Sequence, residues 1–327
     1  VSSPLEGRGK KFEDGVLIME KIKIAVTAGD PFGIGPEVTV KALQNPRVRE
    51  LCDVVVIGGK NALIKNGFTP DLGQIFDAAP PHAEPAPEVP GPTVYGGLTS
   101  FKAVATAARL ASKGEVKAMV TAPVSKESWQ MAGVKYTGHT DFLKDFSKAE
   151  HVLMMFTSGK LNVGLVTEHS SIKNLPADIN YKKIIHAVKL FNKALIEKGI
   201  KTPRIGVSAV NPHAGDGGKL GTEEIEIIKP AVTAAKKEGV NASGPFPVDS
   251  LWQKHAKGMF DGIICMYHDQ ALIGLKLIAK EPVVHITYGL PFLRTSPTHG
   301  TAFDIAGKGI ADASGMTAAI LYAAEKK

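Results

Sequence analysis

Short apolar runs rich in β-branched residues recur along this chain. Most are followed by a turn of glycine, proline or polar residues and then by a helical pattern. Lys23 to Thr27 (KIAVT), Val54 to Ile57 (VVVI), Ala118 to Thr121 (AMVT), Ile205 to Val210 (IGVSAV) and Gly262 to Met266 (GIICM) are such runs. Strands of this kind alternating with helices predict an α/β fold, built on a parallel sheet whose faces are covered. Val152 to Phe156 and Leu161 to Val166 read as adjacent strands joined at Thr157-Ser-Gly159, and Pro282 to Thr287 as a further strand. With 327 residues, 44% of them hydrophobic, the chain can build one large or two modest domains.

Several function classes are disfavoured. No apolar run approaches the roughly 18 residues a membrane span needs, and residues 1–18 hold no apolar signal-peptide core, so the expected compartment is the cytoplasm. Those 18 residues are expected to be a tail outside the core. Cys52 and Cys265 lie in apolar runs and are expected to stay reduced. The net charge of +7 is spread along helices, and with only 6% aromatic residues no stacking platform is visible. A small anionic substrate fits this pattern better than a polynucleotide. The span Asp77 to Pro92, with six prolines and no periodicity, reads as a surface connection.

Chemistry concentrates where strands end. The segment Asp261 to Gly307 carries Tyr267, His268, Asp269, Lys276, His285, Arg294, His299 and Asp304, and the C-terminal ends of parallel strands are where ligands bind. Gly289 to Arg294 reads as a rigid loop presenting a guanidinium, whose natural partner is a carboxylate or phosphate. His169, His213 and His268 each follow a strand. One histidine there is usually a hydrogen-bonded loop residue, whereas three raise a metal site above that background. No cysteine joins them, so donor softness does not separate zinc, cobalt and magnesium. In Tyr136 to Phe142, Thr140 or Asp141 can cap a helix beside His139; the plain alternative is a solvent-facing histidine. Gly29 to Glu37 (GDPFGIGPE) lacks the spacing of a dinucleotide fingerprint. An anion-binding helix start and a tight strand-to-helix turn read equally well there. Lys126 is either site-lining or an ordinary helix-start lysine, and Asp249 either a helix cap or a site residue. His82, His151, His186 and His255 take structural readings.

The blocks GDPFGIGPE, TGHTDF, NPHAG, MYHDQ and GLPFLRTS, in this order, resemble the 4-hydroxythreonine-4-phosphate dehydrogenase family of pyridoxal phosphate synthesis, over nearly the whole chain after Met19. The resemblance implies a two-lobed α/β/α fold like isocitrate and isopropylmalate dehydrogenases, with the active site in the inter-lobe cleft. Approximate lobes are 19–135 with 290–327, and 136–289. It implies a divalent metal (zinc, cobalt or magnesium) on His169, His213 and His268, completed across a homodimer. It also implies substrate contacts from His139, Thr140, Lys276, Arg294 and position 285, with Asp269 and Lys276 catalytic. NAD or NADP would lie along Gly29, Gly33 and Gly35 and the loop holding Leu290 and Thr295. The implied reaction oxidises and decarboxylates 4-phosphohydroxy-L-threonine to 3-amino-2-oxopropyl phosphate. The chain departs from the family pattern at Phe32 (usually alanine), His285 (usually asparagine) and Thr298 (usually aspartate). Alternatives are a dehydrogenase of 4-phospho-D-threonate or 4-phospho-D-erythronate, a phosphotransacylase-like enzyme, and a non-catalytic binder of phosphorylated metabolites.

Overall fold

The computed structural model describes residues 10–13, 16–19, 21–81 and 87–325, so His82 lies outside the described residues. The chain divides into two compact units, Val1–Ala149 with Leu290–Lys327, and Glu150–Gly289. The first unit opens with β1 (Lys10–Glu13) and β2 (Val16–Met19), paired antiparallel from Lys10 opposite Met19 to Glu13 opposite Val16. Part of the expected tail is therefore a hairpin. There follow β3 (Ile22–Thr27), α1 (Gly35–Leu43), α2 (Pro46–Leu51), β4 (Cys52–Gly58), α3 (Lys60–Lys65) and β5 (Gln74–Asp77). Next come α4 (Val94–Ser112), β6 (Ala118–Thr121), α5 (Lys126–Met131) and α6 (His139–Ser147).

The second unit holds β7 (Leu153–Ser158), β8 (Leu161–Leu165), α7 (Leu175–Asp178), α8 (Tyr181–Glu197), β9 (Ile205–Ser208) and α9 (Lys229–Lys237). It continues with β10 (Ala242–Phe246), α10 (Val248–Ala256), β11 (Gly262–Cys265), α11 (His268–Ile278) and β12 (Val284–Tyr288). The chain then returns to the first unit as β13 (Leu293–Ser296) and α12 (Ser314–Glu325).

Within the first unit the strand order is β13-β6-β3-β4-β5, parallel throughout. Within the second it is β10-β9-β11-β8-β7-β12. Here the sheet is mixed: β7 runs antiparallel to β8, as the short turn between the two runs implied, and also to β12. The cause is local, because Gly159 at φ +55 turns β7 straight back into β8, with no room for a crossover helix.

Alanines 103, 107, 108 and 111 of α4 are buried, and their small side chains let the helix approach the strands closely. The same core takes in Trp129, Phe142 and Leu143. Phe142 meets Phe101 edge-on at 5.1 Å and Tyr136 at 5.2 Å, and Trp129 meets Phe101 at 5.4 Å. Each such pair adds about 0.5–1.5 kcal/mol beyond area burial. This cluster keeps α6 in the first unit, so the division falls at Ala149 and not after residue 135.

Candidate active site

In the second unit β9, β11 and β8 are adjacent and parallel. Their C-terminal ends therefore share one edge, and each leads into a loop or helix start bearing one of the three singled-out histidines. The His169 and His268 rings lie 6.0 Å apart. His268 opens α11, and its Nδ1 lies 2.8 Å from Asp269 Oδ1. A proton shared on that side leaves the Nε2 lone pair for a cation. Asp269 is exposed, as is Lys276 two turns further along α11. His213 sits in a run of five left-handed residues, from His213 (φ +52) to Gly217 (φ +66). Left-handed backbone costs an ordinary residue about 1–2 kcal/mol, so His213, Ala214 and Asp216 hold this shape only because their surroundings impose it. Among the described residues no three His, Cys, Asp or Glu side chains gather closely enough to hold a metal ion.

Two buried polar residues missed in the sequence support these loops. Gln270 Oε1 accepts from Met266 N (3.0 Å) and Ser208 Oγ (3.1 Å), and its Nε2 donates to Ala209 O (2.9 Å). It thereby joins the ends of β9 and β11. Glu224 accepts from the backbone just before His213. The sequence signal for Gln270 was a polar residue inside an otherwise apolar helical pattern, whereas Glu224, between Glu223 and Glu226, did not stand out.

In the first unit β13, β6 and the start of α6 assemble a basic pocket wall. Arg294 is 3% exposed and donates from Nε (3.1 Å) and Nη2 (2.7 Å) to Thr121 Oγ1. His139 is the first residue of α6; its Nε2 is buried and has no hydrogen-bond partner among the described residues. Burial pushes its pKa well below the ordinary value, and the charges of Arg294 and Lys126 push the same way. A Cβ added to Gly138 would lie 3.5 Å from Lys126 Cε, so that lysine runs alongside the helix start. The expected cap by Thr140 or Asp141 is not formed. Gly138 is the N-cap, with no side-chain bond, and Asp141 instead accepts from Thr137 N at 3.0 Å. His139 is correspondingly not the solvent-facing residue of the plain reading. An uncapped helix start, a neutral imidazole and two cations make a place for an anion.

The Gly29 to Glu37 turn is fixed by close backbone packing. A Cβ at Gly29 would fall 2.2 Å from Pro123 O, and one at Gly33 2.8 Å from Thr301 O. Gly35 begins α1 with Pro36 in the first turn and no side-chain cap. Asp30, also missed, is fully buried, accepting from Ser128 Oγ (2.8 Å) and Phe32 N (3.1 Å); burial raises its pKa. Leu290 packs on the core of this unit, and the Thr295 hydroxyl donates to Ala319 O at 2.8 Å.

His285, in β12, is buried with its ring stacked on Phe156 at 4.9 Å. His255 is structural: Asn162 N donates to its Nε2 at 3.1 Å, and its Nδ1 faces Phe260 O at 3.1 Å. The His151 and His186 rings stack at 3.5 Å. Asp249 caps nothing, the N-cap of α10 being Pro247. Among the described residues no helix is long and apolar enough to cross a membrane.

Comparison with known proteins adds to this geometry. A family model described as the pyridoxal phosphate biosynthetic protein PdxA matches residues 51–323. The chain is 39% identical to the 4-hydroxythreonine-4-phosphate dehydrogenase of Geobacter metallireducens, over 93% of this chain and 95% of that one. It is 38% identical to a protein of Oceanobacillus iheyensis provisionally named D-threonate 4-phosphate dehydrogenase, over 92% and 97%. The crystal structure of a 4-hydroxythreonine-4-phosphate dehydrogenase from Klebsiella pneumoniae superposes with a TM-score of 0.81 at 35% identity, over 94% of this chain and 99% of that one.

Proposed function

The chain belongs to the family of the pyridoxal phosphate biosynthetic protein PdxA, and on that premise we propose that it oxidises 4-phosphohydroxy-L-threonine with NAD or NADP. The secondary alcohol gives up a hydride to the nicotinamide and a proton to the protein or solvent. The resulting β-keto acid loses carbon dioxide, leaving 3-amino-2-oxopropyl phosphate. The observation that supports this reading is that His169, His213 and His268 each follow one of three adjacent parallel strands, at the same edge of the sheet. A phosphotransacylase or a passive binder has no use for such a set.

His169, His213 and His268 would hold a divalent metal, zinc, cobalt or magnesium. Supporting this assignment, two of the rings lie 6.0 Å apart and a carboxylate bonds one of them. Such an ion makes an alcohol more acidic and polarises a developing ketone. His139, Thr140 and Arg294 take the phosphate, whose remote binding orients the reacting carbon. Lys276 contacts substrate, and Asp269 orients His268 or relays the proton. Gly29, Gly33 and Gly35 and the backbone at Leu290 and Thr295 receive the dinucleotide.

We place the enzyme in the cytoplasm as a homodimer that completes the metal site. Supporting the dimer, α11 begins at His268 and exposes Ile273 (60%) and Leu277 (80%) one turn apart. Supporting the compartment, Cys52 and Cys265 are both buried in the apolar core. The test is appearance of reduced cofactor with substrate, NAD and added metal. A purified His213→Ala protein that keeps full metal content and turnover refutes the metal assignment.

A second reading rests on His285. Packed on Phe156, an imidazole replaces the smaller donor and acceptor pair of asparagine, which favours a phosphorylated hydroxy acid such as 4-phospho-D-threonate or 4-phospho-D-erythronate. Turnover of the amino acid and hydroxy acid phosphates by wild type and His285→Asn decides between them. Strong wild-type preference for the hydroxy acid displaces the first substrate while leaving the dehydrogenase chemistry intact.

A further inference from the structure

We infer that Glu224 is a positioning residue for His213, a role that rests on the proposed part of His213 in holding the metal. Glu224 is 3% exposed and opens a π-helical turn, Glu224–Ile228. Its Oε1 accepts from Val210 N (2.9 Å) and Asn211 N (2.8 Å), and its Oε2 from Asn211 Nδ2 (3.0 Å). One buried carboxylate thus takes three N–H groups from the two residues that lead out of β9 toward His213. Its neighbour Glu223 draws the same Asn211 amide to 2.7 Å. Further round the loop, a Cβ on Gly215 would lie 2.7 Å from Glu224 Oε2, so the carboxylate packs directly under the left-handed run. The backbone of that run is one that His213, Ala214 and Asp216 would not adopt unaided, and Glu224 bonds the residues leading into it and packs against its middle at Gly215. A π-turn is a common way to aim a functional side chain inward, here a carboxylate that orders a neighbouring loop. Nothing in this arrangement requires Glu224 to touch substrate.

The test uses the metal-stripped full chain titrated with cobalt(II) alone, reading both affinity and the d–d absorption band, with thermal melting alongside. Glu224→Ala is expected to weaken cobalt binding at least tenfold and to alter the band. Glu224→Gln keeps an acceptor for the two backbone N–H groups but turns an amide toward Asn211, so it is expected to fall between the two. If Glu224→Ala does not fold, Glu224→Gln carries the test. A lower melting temperature with unchanged affinity and band makes Glu224 a folding residue only, and overturns the inference. His213→Ala is the reference for a missing ligand. If it binds cobalt as wild type does, the ligand reading falls and this inference with it. If it is weakened while both Glu224 variants match wild type, the positioning role alone is refuted.

Discussion

Arg294→Met removes the buried guanidinium from the anion pocket and nearly preserves side-chain volume. A hydrogen bond to a charged group contributes about 1.5–3 kcal/mol. Taking about 2 kcal/mol for the contact to the substrate phosphate, kcat/KM should fall roughly 30-fold. Arg294→Lys keeps the charge but loses the planar fork, so its loss should be smaller. The same substitution has a second, independent effect. Burial is the largest cause of the depressed His139 pKa, and Arg294 is the second. Without the guanidinium, the His139 pKa should rise yet remain below the ordinary 6.5, because its burial is unchanged. Reduced-cofactor absorbance gives the rate, and NMR titration of the histidine ring protons gives the pKa. A kcat/KM within threefold of wild type, or a His139 titration that does not move, would refute the placement of Arg294 beside His139 in the anion site.

Stability should fall in mild acid. The pKa values of His139 and His255 are both depressed by burial, so the unfolded chain binds their protons more readily. Their contribution is complete above the unfolded value near 6.5 and is lost as pH drops through the lower folded values. Urea unfolding of wild type and His255→Gln between pH 7.5 and 5.5 should show a shallower pH dependence for the variant, and identical slopes would contradict this. Gly274→Ala would place a Cβ 2.5 Å from the Trp252 indole and should cost about 1–3 kcal/mol in the same assay, whereas unchanged stability would remove the packing argument. His169→Ala and His268→Ala proteins, each inactive, should recover activity as re-equilibrated mixed dimers if the two positions serve one site from opposite protomers; no recovery in demonstrated heterodimers would put both on one protomer, as their 6.0 Å ring separation favours.

The parallel strands and the histidines at their ends were legible because β-branched runs and the polar residues after them are local signals. The direction of β12 was not, since an apolar run such as Val284–Tyr288 carries no arrow and its antiparallel pairing with β7 is set far away in sequence. The membership of α6 was missed for a related reason. It depends on Phe142 meeting Phe101, forty-one residues away in sequence (142 − 101), and no local pattern announces that contact. The burial of His139 follows from the same packing. At 213–217 no local pattern shows that His213 and Ala214 take left-handed backbone, which became visible only with Glu224 beneath the loop.

Gln270 holds one hydrogen bond to the residue after β9 and another to the residue after β11, both through a single buried amide group. Neither of the loops carrying His213 and His268 can swing away without breaking a bond that steadies the other. Hydrogen exchange at the Met266 amide should consequently keep time with that of the loop at 211–218, although the two are fifty residues apart along the chain (266 − 216). These loops open as one body or stay shut.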